Sequence, residues 1–577
     1  MTFGLGFTAY ALTDNPALAA FASIPAYASD LARADLSLVV AMELSAVTAA
    51  DIGNSGKFYL SSETFATTAS DSPASRLFDG RIRSCVIRRT IEPSSDGQLA
   101  GGIIRAFGEV ELDNADGGLD DLLTLWYVDG RDVVIKVAGK ASRDTTRAYS
   151  SFGTVFTGHA GQWSFERAGD SVRLRLESIN RQLRRAIATT TYDGNGSSGG
   201  TEDLAGVSKP QAYGICYNVS PQLVDPTVRS YQVHDDFIES VIAVYDSGVE
   251  LQGGGLYSNY AALTADTIPD GSYGVSRPEG FIALGLDPVG QVTMDLEGDR
   301  SSNRRPAVES WSDGTTWSDG TGWGAGASQI PVQGVAQAIW RILEERGGFT
   351  SAQINESAFY RFDRLQPAQV GYHVPAGDTD TIETHIQRLA ASAGGAVGPD
   401  QYNRLILIRV DAPSDNSPYT LDSTNIVSLE RATVPYAVPW YIWRLGYRIN
   451  WTVQSDSQLA EGVSLSRRAQ LKRLYRLTTN RDDDILETFP ASGSIETLTY
   501  FVELEDAQAE RSRRQALYSV GRIMLRVAVK TYLFRIELGE TVKVTYDRFD
   551  LDSGRYFTVL EVEEDLAEQT TRLLLFG

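Results

Sequence analysis

The chain has 577 residues, which at about 150 residues per domain predicts roughly four domains. Its 53 Gly and 20 Pro stay well below low-complexity levels, and 42% hydrophobic with 22% charged residues is the composition of a folded protein. With 52 basic against 74 acidic side chains, the net charge of −22 argues against a general binder of phosphate backbones, which needs a basic face.

In chain order, residues 1–36 read as an arm rich in Ala, Phe and Tyr. No Lys or Arg precedes Arg33, so a secretory n-region is missing, and Asp14, Pro16, Pro25 and Asp30 interrupt any membrane-length apolar run. The arm is expected either to be a tail or to dock on a neighbouring subunit. A first β domain is expected over 37–192. There Arg131 to Ala138 is a strand candidate rich in Val and Ile, and Val172, Leu174 and Leu176 alternate with Arg173, Arg175 and Glu177. Asp116-Gly117-Gly118 predicts a tight turn between strands; a calcium loop would place Leu112 and Leu123 at ligand positions.

The run Asp193 to Gly200 reads as a flexible polar linker, opening a second β segment over 193–330. Within it, WSDGT occurs almost twice in tandem and spaces Trp311, Trp317 and Trp323 six residues apart. These tryptophans either pack locally in a surface excursion or form a contact for a partner subunit or a sugar, since Trp is enriched at binding hot spots.

An α+β segment is expected over 331–430. One helix opens near Pro331, turns Val332, Val335, Ala336, Ile339 and Leu343 to one face and stops at Gly347-Gly348. A second takes Asp380 as N-cap with Glu383 three residues on, and its stripe is Ile382, Ile386, Leu389 and Ala393. Asn403 to Val410 is a strand candidate. The C-terminal β domain, 431–577, contains strand candidates Trp443 to Val453 and Thr571 to Phe576. Val542, Val544 and Tyr546 alternate there with Lys543, Thr545 and Asp547, and one long helix is expected from about Asp506 to Lys530. The fold class is therefore mainly β with a few helices, multi-domain.

Chemistry is sparse. Cys85 and Cys216 cannot make a four-thiolate site, and His159, His234, His373 and His385 show no metal-ligand spacing, so no metal and no cofactor is expected. Nucleophile-elbow, phosphate-loop and dinucleotide patterns are absent. Acid pairs such as Asp120-Asp121 and Asp235-Asp236 are adjacent in sequence, and on a strand neighbours point to opposite faces. No catalytic residue is assigned.

Three blocks resemble tail-tip and baseplate proteins of long-tailed bacteriophages and gene transfer particles. The first runs from Phe107 through Gly108-Glu109, Leu112, Asn114 and Asp116-Gly117 to Asp120, followed by Asp129-Gly130-Arg131. The second is Lys209-Pro210 to Gly214, then Asn218-Val219-Ser220-Pro221, then Tyr231-Gln232-Val233. The third comprises Val438-Pro439-Trp440, Gly446 to Thr452, Asp506 to Arg514, Leu538 to Val542 and Leu551 to Phe557. Together they span roughly 55–577, without the arm and the tryptophan excursion.

The resemblance implies a structural virion protein rather than an enzyme, built of β-barrel domains that echo the tail-tube fold. It implies a hub that links the tail tube to a central fibre around the channel for DNA exit. Its partners would be copies of itself as a trimer, the distal tail or tube protein, the tape measure protein and the central fibre. DNA would pass without specific binding, no membrane segment is needed, and assembly would take place in the host bacterial cytoplasm. Some hubs of this kind hold an iron–sulfur cluster on clustered cysteines, which this chain lacks. The alternatives are a hexameric distal tail ring and a receptor- or carbohydrate-binding tail component. Asp116, Gly117 and Gly130 are predicted turn positions, and Trp311, Trp317 and Trp323 a predicted interface.

Overall fold

A computed structural model describes residues 38–48, 55–93, 97–104, 108–139, 146–166, 170–299, 333–400, 402–435, 439–530 and 535–577. The arm and all three tryptophans of the tandem lie outside these residues, as does Pro331.

The alternating segments form strands with their apolar members inward. In Ser171–Glu177, Val172, Leu174 and Leu176 are buried while Arg175 faces solvent. Pairing takes this strand into a closed circuit. Ser55–Ser61 pairs with Leu38–Thr48, then Asp132–Gly139, Gly153–Glu166, Ser171–Glu177, Glu109–Asp113 and Ile82–Ile91. The circuit returns to Ser55–Ser61 through Leu77–Gly80, which Arg81 alone separates from Ile82–Ile91. Inside sits an apolar core that includes Met42, Leu44, Val110, Ile135, Phe156 and Leu174.

A second circuit forms at the C-terminus. Tyr419–Leu421 pairs with Thr541–Val544, then Arg555–Asp565, Thr570–Phe576, Met524–Val529 and Ile426–Ala432, which rejoins Tyr419–Leu421 across the turn at 422–425. Val527, Val542, Phe557, Leu573 and Leu575 fill its core. The two circuits share a seam: Val86 to Thr90 pair antiparallel with Asp565 to Glu561. Residues almost five hundred positions apart thus belong to one continuous sheet.

Between them in sequence lie two five-stranded sheets, one holding Gln211–Val219 and Val292–Glu297, the other Ser230–Gln232 and Phe281–Leu284. Cys216, Val233, Ile282 and Met294 pack between these sheets. Helices Val335–Glu345, Glu356–Leu365 and Ile382–Ser392 surround another core containing Ile339, Phe362, Ile386 and Leu389. Gly395–Pro399 pairs in parallel with Gly101–Ile104 and so fastens this helical unit to the seam region. A three-stranded sheet, with Ile442–Tyr447 at its centre, packs on helix Leu504–Tyr518.

Several sequence expectations change in detail. The long C-terminal helix stops at Tyr518, and Met524–Val529 is a strand. Ser519 caps the helix, Gly521 lies two residues beyond it, and the apolar run that follows pairs on both sides, which a helix could not do. Thr381, not Asp380, caps the second helix: its side chain accepts from the Thr384 N–H at 3.3 Å, while Asp380 pairs with Arg388. The strand after Trp440 ends at Tyr447, where Arg448 adopts φ 49° and turns the chain. The Asp193 to Gly200 run closes on itself instead of forming an open linker, through Gly194 N–H to Gly199 O at 2.9 Å and Gly196 N–H to Gly200 O at 2.7 Å. Among the described residues, no helix is long and apolar enough to cross a membrane.

Candidate functional site

The side chains of the three sequence blocks hold folding units together. In the first block, Gly117 sits at φ 68° in the turn after Glu109–Asp113. Asp116 accepts from its own turn at Gly118 N–H, 2.9 Å, and receives both terminal nitrogens of Arg81 at 2.8 and 3.0 Å. Arg81 also donates to Asp79 Oδ2 at 2.6 Å and to the Asp113 carbonyl at 3.2 Å. The Arg81 guanidinium and the Gly118 N–H hold the Asp116 carboxyl well below its usual range. The Asp116 turn therefore grips the one residue that links strand Leu77–Gly80 to strand Ile82–Ile91. Gly130, at φ 71°, forms the opposite turn; its N–H donates to Ala160 O at 2.7 Å, and Arg181 occupies the space a Cβ would need.

The second and third blocks meet. Asn218, at φ 52°, donates from Nδ2 to Asn450 Oδ1 at 2.8 Å and to the Thr452 carbonyl at 2.6 Å. Its backbone N–H donates to Asp295 Oδ1 at 2.7 Å. Asn450 in turn donates to the carbonyls of Leu471 and Arg473 at 2.8 and 2.9 Å. Nearby, both carboxylate oxygens of buried Asp235 receive Arg346 at 2.6 Å each, locking the end of helix Val335–Glu345 to the sandwich.

Helix Leu504–Tyr518 supplies the third joint. Glu510 is fully buried and accepts from Arg513 at 2.7 and 2.8 Å, Arg514 at 2.6 Å and Gln366 at 2.9 Å. Burial alone would raise its pKa, but these two guanidinium groups lower it, so the carboxylate is ionised. Arg514 reaches on to Gln98 Oε1 at 2.9 Å and to the carbonyls of Ala391 and Ser392, at the end of helix Ile382–Ser392. One ion cluster thus joins the C-terminal unit, the helical unit and the loop beside the seam. At the seam itself, Arg88 donates to Glu561 at 2.6 Å and buried Arg89 pairs with Glu537.

Sequence reasoning placed Asp116, Gly117 and Gly130 in turns because Asp-Gly pairs announce themselves locally. It missed Arg81, Asn218, Asn450, Glu510 and Arg514 as joints, since their partners lie far away in the chain. The Glu510/Arg514 spacing of four was the available signal. Cys85 and Cys216 are buried free thiols, and burial pushes the Cys85 thiol up to about 12. Carboxyl groups raised by burial, Glu345 and Glu540, both to about 7, stand beside Arg341 and Glu537 respectively.

No family model matches the sequence, and no curated protein matches it. Solved structures do overlap with it. A chain of the virion of a native gene transfer agent particle aligns with 16% identity and TM-score 0.41, covering 64% of this chain and 84% of its own. The 43 kDa tail protein of prophage MuSo2 from Shewanella oneidensis aligns at 9% identity and TM-score 0.35, over 93% of this chain and 98% of its own. A tail protein from Neisseria meningitidis MC58 gives 9% and 0.35, over 94% and 97%. At such TM-scores the overlap is loose.

Proposed function

We propose that the chain is a structural component of a bacteriophage or gene-transfer-particle tail tip, acting as a hub between the tail tube and a central fibre. One observation carries this reading. The three sequence blocks that resemble tail-tip proteins supply structural contacts: Asp116 holds Arg81 within the first β unit, Asn218 meets Asn450 between units, and Glu510 with Arg514 ties helix Leu504–Tyr518 to Gln366, Gln98 and the end of helix Ile382–Ser392. Residues shared with a structural family for their architecture should do this, whereas shared catalytic residues should converge on a cleft.

On this reading the chain catalyses no reaction. Its net charge of −22 suits a channel wall that DNA passes without sticking. Two strand circuits joined by a shared seam suit a ring component, because strands paired on both sides leave few free edges to pair wrongly. The partners are further copies of the chain, the tube-end protein and the fibre.

Light scattering of the purified chain over a concentration series tests the hub form. A trimer is expected. A hexamer would move the assignment to the distal tail ring.

A further inference from the structure

Outside these joints, one group of side chains has the chemistry of a metal site. The loop between strand Gly371–Val374 and helix Ile382–Ser392 brings Asp378 and Asp380 to the helix's His385. One ligand atom from each lies within 4.8 Å of the other two. His385 is 2% exposed, and its Nδ1 is taken by the Tyr372 hydroxyl at 2.7 Å. Its Nε2 is buried, makes no hydrogen bond, and points at Asp378 Oδ1, 3.4 Å away.

We propose that Asp378, Asp380 and His385 form a binding site for a divalent transition-metal cation, Zn²⁺ in the first place.

The distances suit the ion. Two ligands each about 2.0–2.1 Å from a tetrahedral zinc stand about 3.3 Å apart, close to the His385–Asp378 separation. An imidazole with two carboxylates favours zinc or its first-row neighbours over magnesium or calcium, which take oxygen ligands. Ligand orientation is already fixed. Tyr372 holds the His385 ring, and the Asp380 N–H donates to Asp378 Oδ1 at 2.7 Å. The loop backbone is anchored by Gly377 N–H to Ser208 O at 3.0 Å and by the Ser208 hydroxyl to Asp378 O at 3.1 Å. Asp380 is paired with Arg388 at 2.8 Å and is the more exposed carboxylate, so it reaches the ion by turning one oxygen from that pair. Three protein ligands leave a fourth position toward solvent. The ion would staple the loop to the first turn of the helix, at the end opposite the Arg514 joint.

The test uses the untagged full chain, stripped with EDTA and desalted. Zn²⁺ is titrated calorimetrically and Co²⁺ by visible absorption. One equivalent should bind per chain, with a tetrahedral-type Co²⁺ band. Asp378→Asn should weaken binding by about tenfold or more, and Asp380→Asn by several-fold, with the metal-free melting temperature of Asp380→Asn unchanged. The two Asp variants carry the test because replacing buried His385 risks the fold. Failure to bind Zn²⁺, or equal affinity in both variants and the parent, would overturn the site.

Discussion

Asn218 illustrates how single side chains decide this structure. It occupies a left-handed conformation that Asn tolerates better than most residues, and its side-chain amide bonds Asn450, 232 positions away. Asn218→Ala removes two buried hydrogen bonds and keeps the unfavourable φ, so it should cost about 2–4 kcal/mol, read as a lower urea midpoint. Asn218→Gly should relieve the backbone and recover only part of that loss. Glu540 makes a prediction of different sign. Burial pushes its carboxyl up to about 7, with the Glu537 carboxylate adding to the shift while the Glu537 N–H, Arg361 and Arg89 oppose it. A folded-state pKa above the unfolded value of about 4.3 gives stability that is complete at low pH and lost as pH rises through 7. Glu540→Gln should therefore gain on the parent protein between pH 5 and 8, by on the order of 2 kcal/mol. Melting curves of both at each pH check this, and the buried histidines, common to both, cancel. At this scale the sequence disclosed turns, because Asp116 and Gly117 are neighbours. It hid Asn218, whose purpose depends on Asn450.

Among the elements, helix Leu504–Tyr518 shows why apolar periodicity misjudged the C-terminal unit. Its buried face is Ala507, Glu510, Arg514, Leu517 and Tyr518, so charged residues stand where an apolar stripe is expected. The apolar run that looked like its continuation is Met524–Val529, a strand paired on both edges. The helices at 335–345 and 382–392 were legible because their inward faces are apolar throughout, as in Ile339, Leu343, Ile386 and Leu389. Glu510→Ala should cost about 3–5 kcal/mol, since it leaves buried Arg514 without its carboxylate and half-buried Arg513 with Asp411 alone. Chemical denaturation reads this loss. A second change, Arg514→Met in the Glu510→Ala background, should recover part of it by removing one stranded charge, and an additive further loss would show that the cluster is not the joint.

For the whole molecule, the governing feature is the seam between the two strand circuits. Strand pairing of Val86 to Thr90 with Glu561 to Asp565 makes the first and last β units one sheet, a connection that local sequence patterns cannot encode. The mainly β class and many strands were readable from alternation; the return of the first circuit through Arg81 was not, because it depends on a break of one residue. The proposed tail-tip role fits this build: two strand circuits joined in one sheet, a net charge of −22, and residues of the resembling blocks used in structural contacts. The most direct test is electron microscopy of purified tailed particles from the producing cell, labelled with gold-tagged antibody raised against this chain. The account predicts label at the distal end of the tail. Label on the head or along the whole tube, or intact tails carrying none of the chain, would contradict it.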